Sequence, residues 1–76
     1  MKDERRESDV RNGLGTLLSK EGDKEAAEEH LTRALTLGKK LGHSSVVAAA
    51  TGNIGKVSMS LGKHDEALQL FREAYE

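Results

Sequence analysis

The stretch Gly13 to Gly22, GLGTLLSKEG, sets three glycines, a threonine, a serine and a lysine within ten residues. That is the composition of a loop that cradles phosphate with backbone N–H groups. The spacing is wrong for one. The pattern G-x-x-x-x-G-K-[ST] finds its nearest match at VSMSLGKH, residues 57–64. There Val57 stands where the first glycine must be, and His64 where a hydroxyl must ligate magnesium. A dinucleotide loop, G-x-G-x-x-G, counted from Gly13 and Gly15, meets Leu18 at its third glycine. Neither candidate follows a strand, so phosphate binding is not expected.

The other residues able to do chemistry are scattered. His30, His43 and His64 are separated by 13 and 21 residues, which matches no zinc spacing, and there is no cysteine to complete a site. They read as solvated or capping histidines. Glu25, Glu28 and Glu29 read as the acidic first turn of a helix, favoured by its dipole. Lys39, Lys40 and His43 read as the complementary basic end of the same helix; as a footprint for an anion they are thin. No Ser/His/Asp constellation can be placed. The chain is therefore expected to be no enzyme and to need no cofactor or metal.

Composition narrows the class further. The chain has 76 residues, with 12 Lys+Arg against 13 Asp+Glu, no Pro, one Phe and one Tyr. A single domain of this size buries only ~60–65% of its unfolded surface. The near-zero net charge argues against a nucleic-acid partner. No apolar run nears the ~20 residues that cross a bilayer, so no membrane partner is expected. The charged start, MKDERRESD, lacks the apolar core of a secretory signal. With no cysteine, a cytoplasmic setting follows as the expectation.

What could position any functional side chain is legible in an internal repeat. Shifting the chain by 40 residues superimposes Gly15 on Gly55, Gly22 on Gly62, Ala27 on Ala67 and Ala34 on Ala74. Leu14/Ile54 and Leu31/Phe71 keep apolar character. The identical pairs are all small and are spaced near whole helical turns, as where two helices approach closely. Four apolar stripes at helical spacing accompany them. They are Val10, Leu14, Leu17 and Leu18; Ala27, Leu31, Ala34, Gly38 and Leu41; Val47, Ala50, Ile54, Val57 and Leu61; and Ala67, Leu70, Phe71 and Ala74. Gly22, Gly42 and Gly62 stand at the breaks as helix stops, with Asp23 and Ser44 or Ser45 as following N-caps. The pattern predicts helices near 6–21, 24–41, 44–61 and 64–75, joined by short loops into antiparallel hairpins.

Read together, Leu14-Gly15, Leu18, Gly22, Ala27, Leu31 and Ala34, and again Ile54-Gly55, Gly62, Ala67, Phe71 and Ala74, resemble the tetratricopeptide repeat. The resemblance covers about residues 8–76. It implies an all-α fold: one domain, 1–76, of two tandem helix-turn-helix units, about 8–43 and 44–76, forming a piece of a right-handed α-solenoid. The family's usual unit is about 34 residues, so about six extra residues lengthen the second helix and its exit across TLGKKLGHSS. Longer units of this kind are similar to those of spindle-orientation and polarity adaptors. The sequence departs from the family pattern in three places. Arg11 and Thr51 replace its first aromatic, Leu18 and Ser58 replace its second, and no proline closes a unit.

The resemblance further implies a non-catalytic scaffold, with a partner peptide or protein in a groove lined by the first helix of each unit. The matching positions are Asp9, Asn12, Thr16, Ser19 and Lys20, and Asn53, Lys56 and Ser60. Asn53 is the sharpest, because a side-chain amide both donates to and accepts from an extended backbone; Gly13 stands in its place in the first unit. The clamp that reads acidic C-terminal tails is not recognisable.

Two units fall short of the three or so that usually stand alone. The chain is thus expected to be an excised or engineered piece of a longer repeat protein, or to complete itself as a homo-oligomer. In the latter case it is a self-associating building block. Leu68, Phe71 and Tyr75 on the last helix are the expected contacts, either end to face or by exchange of helices if a hinge at 42–45 straightens.

Overall fold

Helix α1 begins where the sequence first offers a cap. A computed structural model describes residues 3–74, with the side chains of His64, Phe71, Glu73 and Ala74 outside that description. The Asp3 carboxylate accepts from the Arg6 N–H at 3.1 Å, and α1 runs Glu4–Lys20 with Glu4 and Glu7 in its first turn. Most of the charged start is therefore helical, beginning two residues earlier than the spacing predicts. Helices α2 (Lys24–Leu41), α3 (Ser44–Ser60) and α4 (His64–Ala74) follow, with no strand among the described residues. The fold is all-α: four helices packed in chain order as two antiparallel hairpins, with α1 also touching α3.

Local chemistry makes the two hairpin turns alike. After α1 the N–H groups of Glu21, Gly22 and Asp23 donate to the carbonyls of Leu17, Ser19 and Leu18. After α3 those of Leu61, Gly62 and Lys63 donate to Val57, Met59 and Ser58, the same bonds 40 residues on. Gly22 and Gly62 supply the left-handed residue, at φ 92° and 81°. Asp23 then caps α2, its carboxylate accepting from the Ala26 N–H at 3.4 Å.

The turn between hairpins differs from expectation. Gly42 ends α2 in the left-handed conformation, and that places His43, not Ser44 or Ser45, at the α3 cap. The His43 side chain makes no capping bond there. Instead its Nε2 lies 3.1 Å from Asp9 Oδ1 on α1, and Ser45 Oγ lies 3.3 Å from its Nδ1. The hinge at 42–45 is thus bent, with α2 and α3 as separate helices.

The core lies on α2 and α3. Ala27 and Leu31 pack with Ile54 and Val57, edged by Leu18, Leu35, Leu61 and Leu70; Ala34 packs with Val46 and Ala50. Small residues set the spacing. A Cβ on Gly15 would lie 2.5 Å from Leu31 Cγ and 3.1 Å from the Ala27 carbonyl oxygen. One on Gly38 would lie 3.1 Å from Val47 Cγ2. Glycine at these sites lets the helices close, against a helix-propensity cost of ~1 kcal/mol each relative to alanine.

One apolar stripe is not the buried face. α1 buries Ser8 and Gly15 and half-buries Leu18, while Val10, Leu14 and Leu17 are exposed, as is Leu41 on α2. The close approach at Gly15 turns that side of α1 to α2 and leaves the larger apolar residues facing outward. Ser8 is satisfied within its own helix, its hydroxyl donating to the Arg5 carbonyl at 2.7 Å.

Polar side chains join the layers. Glu28 is not merely a first-turn acid. It pairs with Lys63 at 3.0 Å and accepts from the Ser58 hydroxyl at 3.4 Å, tying α2 to the far end of α3. That hydrogen bond, reinforced by the Glu28 charge, holds the Lys63 ammonium above its ordinary value. Lys40 likewise reaches back to Glu4 at 2.9 Å.

Candidate functional site

α1 and α3 lie side by side, and their contact is the floor of a shallow groove of about 170 Å³. Thr16, Ser19 and Lys20 form one wall, one turn apart on α1; Asn53 and Lys56, also one turn apart, form the other. The two walls are joined by one bond. Asn53 Nδ2–H donates to Thr16 Oγ1 at 3.1 Å, and Thr16 Oγ1–H in turn donates to the Asn12 carbonyl at 2.9 Å. This chain fixes the Asn53 amide plane, and Asn53 Oδ1 has no hydrogen-bond partner among the described residues.

The expected groove residues therefore divide. Thr16, Lys20, Asn53 and Lys56 converge, with Ser19 between them. Ser60 lies outside this lining and donates its hydroxyl to the Lys56 carbonyl at 3.1 Å. Asp9 is engaged by His43. Asn12 supports the wall from behind, and its Oδ1 is buried without a partner among the described residues. Asn53 also plays a part the sequence did not suggest: half its hydrogen-bonding capacity is already used to hold α3 against α1. Of the residues expected to self-associate, Leu68 is exposed. The Phe71 side chain and Tyr75 lie outside the described residues.

The groove's electrostatics are simple. Two exposed ammonium groups, Lys20 and Lys56, flank a threonine and an amide, and no carboxylate is among the lining residues. Such a surface suits an anionic or hydrogen-bonding chain lying along it. It holds no nucleophile–base pair. Among the described residues no group of three or more His, Cys, Asp or Glu is placed to hold a metal. His30, half-buried, has its Nδ1 3.3 Å from Arg11 Nη1 and is remote in role from the groove. No described helix is long and apolar enough to cross a membrane.

Sequence reasoning missed two clusters. The Glu28–Ser58–Lys63 joint unites residues 30 and 35 apart, and the His43–Asp9 contact unites residues 34 apart. Neither has a local signature, because each partner is an ordinary surface residue until the helices are packed.

Compared with known proteins, residues 6–76 match a family model described as the tetratricopeptide repeat. No curated protein and no solved structure matches the chain.

Proposed function

The chain belongs to the tetratricopeptide repeat family, and from that premise we propose that it is a non-catalytic scaffold whose α1/α3 groove holds an extended, acidic segment of a partner protein. The family generally mediates protein–protein interaction. The observation that carries the finer reading is the convergence of Thr16, Ser19, Lys20, Asn53 and Lys56 on one groove, with two cations and no carboxylate. In this reading the anchored Asn53 offers Oδ1 to a backbone N–H of the bound segment, while Lys20 and Lys56 meet its acidic side chains. The chain acts in the cytoplasm and without nucleic acid or membrane, a reading supported by its balanced charge and lack of cysteine. The 40-residue offset of the two turns supports a place among the longer-unit members similar to spindle-orientation and polarity adaptors, and division at about 43/44 into two units.

The test is an NMR titration of the labelled chain with a pool of extended acidic peptides, followed by affinities for the best binder. Amide resonances of Thr16, Ser19, Asn53 and Lys56 should move together. Asn53→Ala should weaken binding by about tenfold, the worth of one well-made hydrogen bond at the upper end. Lys56→Glu should weaken it further, with helix content unchanged. Shifts confined to other surfaces, or an affinity indifferent to both substitutions, would remove the groove from consideration.

A further inference from the structure

The exposed apolar face of α1 has a counterpart inside the same molecule that shows what covers it. Val10, Leu14 and Leu17 are 59%, 39% and 52% exposed. Forty residues on stand Ala50, Ile54 and Val57, at 0%, 3% and 2%. These are equivalent positions by backbone as well as by sequence, since both helices end in the same turn with the same hydrogen bonds. On α3 that face is buried by α2, through Leu31 with Ile54 and Val57, and Ala34 with Ala50. The α1 face therefore has the register to receive a helix built like α2.

The chain carries such a helix. α4 stands 40 residues after α2, starting at His64 as α2 starts at Lys24. Its exposed side presents Leu68, 54% exposed, at the place of Glu28. The exchange is matched on the receiving side. In the internal joint Glu28 accepts from Ser58; at the ends of the molecule the equivalent pair is Leu68 and Leu18, apolar against apolar. The polar contact of the inner joint is replaced on both sides at once, as a joint made between copies requires. In sequence register Phe71 and Tyr75 follow Leu68 as Leu31 and Leu35 follow Glu28.

We propose that copies of this chain associate head to tail, the Leu68 side of α4 on one copy covering Val10, Leu14 and Leu17 of α1 on the next, in the register of the α2/α3 joint. Such a contact is heterologous: it uses two different surfaces, leaves one of each free, and so propagates rather than stopping at a dimer.

Paired substitutions test this by absolute mass across a concentration series. The unaltered chain should rise in mass with concentration past two copies. Leu17→Glu blocks the receiving face, and Leu68→Glu blocks the donating face. Each should lower the association constant by at least about tenfold, the effect of losing one buried leucine. Both sites are exposed, so far-UV circular dichroism should stay unchanged. An equal mixture of the two variants should form pairs of twice the 8.3 kDa chain mass and nothing larger, because each retains the face the other lacks. Three results would overturn the proposal. One is a single-copy mass up to about 1 mM. A second is a closed dimer indifferent to Leu17→Glu, as α4-on-α4 contact or helix exchange at Gly42 would give. The third is a mixture that stays monomeric.

Discussion

α1 and α3 hold the same place in successive hairpins and end in the same turn, yet only one of them has a crowded neighbourhood. α3 buries Val46, Ala50, Thr51, Ile54, Gly55, Val57 and Ser58, whereas α1 buries Ser8 and Gly15. The difference is not in the apolar pattern, which both helices carry at the same offset. It is in the number of partners. α3 is packed by both α2 and α4, and α1 by α2 and an edge of α3. Periodicity therefore specifies where a helix can be covered, and the neighbours decide whether it is.

The largest effect should come from truncating equivalent side chains on the two helices. Ile54→Ala removes a residue buried in the core and should cost about 2–5 kcal/mol. Leu14→Ala, at the same register on α1, should cost about 1 kcal/mol or less, as a partly exposed site does. Urea unfolding of both variants checks this, and equal losses would mean that the α1 face is covered in solution. That outcome would itself favour association between copies.

A smaller contrast lies within α1. Gly15→Ala forces a Cβ to 3.1 Å from the Ala27 carbonyl oxygen and onto the Leu31 side chain, and should destabilise by about 1–3 kcal/mol. Gly13→Ala, two residues away, meets nothing within 4 Å. It should stabilise by about 0.5–1 kcal/mol through helix propensity alone. Opposite shifts in thermal midpoint identify the side of α1 that touches α2; shifts of one sign would misplace that contact.

The smallest effect belongs to the exposed rim of the α2/α3 joint. Glu28 raises the Lys63 value above the ordinary 10.5. A raised folded value means that the contribution to stability is complete below the unfolded value and fades as pH climbs through the folded one. The thermal midpoint should thus lose a little more between pH 10 and 12 in the unaltered chain than in Lys63→Met, an order set by the ordinary lysine range. α1 has Asp23 at the equivalent position, so no matching lysine titration arises at its end.

Much of this was legible in the residues. Gly22, Gly42 and Gly62 mark the three turns, and each takes the left-handed conformation its place demands. Asp23 reads as a cap and is one. Gly15 reads as a point of close approach and meets Leu31. For the groove, helical spacing brings Thr16 to Lys20 and Asn53 to Lys56 on single faces. The misreadings share a cause. The Ser44 or Ser45 cap was displaced by one residue because the Gly42 turn geometry, not hydroxyl preference, chose the cap position. The apolar stripe of α1 was assigned inward because a helix drawn alone has no marked side.

By itself, then, the amino-acid order determined what depends on neighbours within about one or two helical turns: the helices, their stops, and the 40-residue register that makes α1 and α3 equivalent. Only the tertiary structure decided which equivalent face is covered, that Glu28 serves the joint with Ser58 and Lys63, and that Asn53 is held by Thr16. The reason is physical. Caps and turns are set by dihedral preference and short-range hydrogen bonds, whereas burial and these cross-helix bonds form between residues 30 or more apart. They exist only after the packing has chosen their partners.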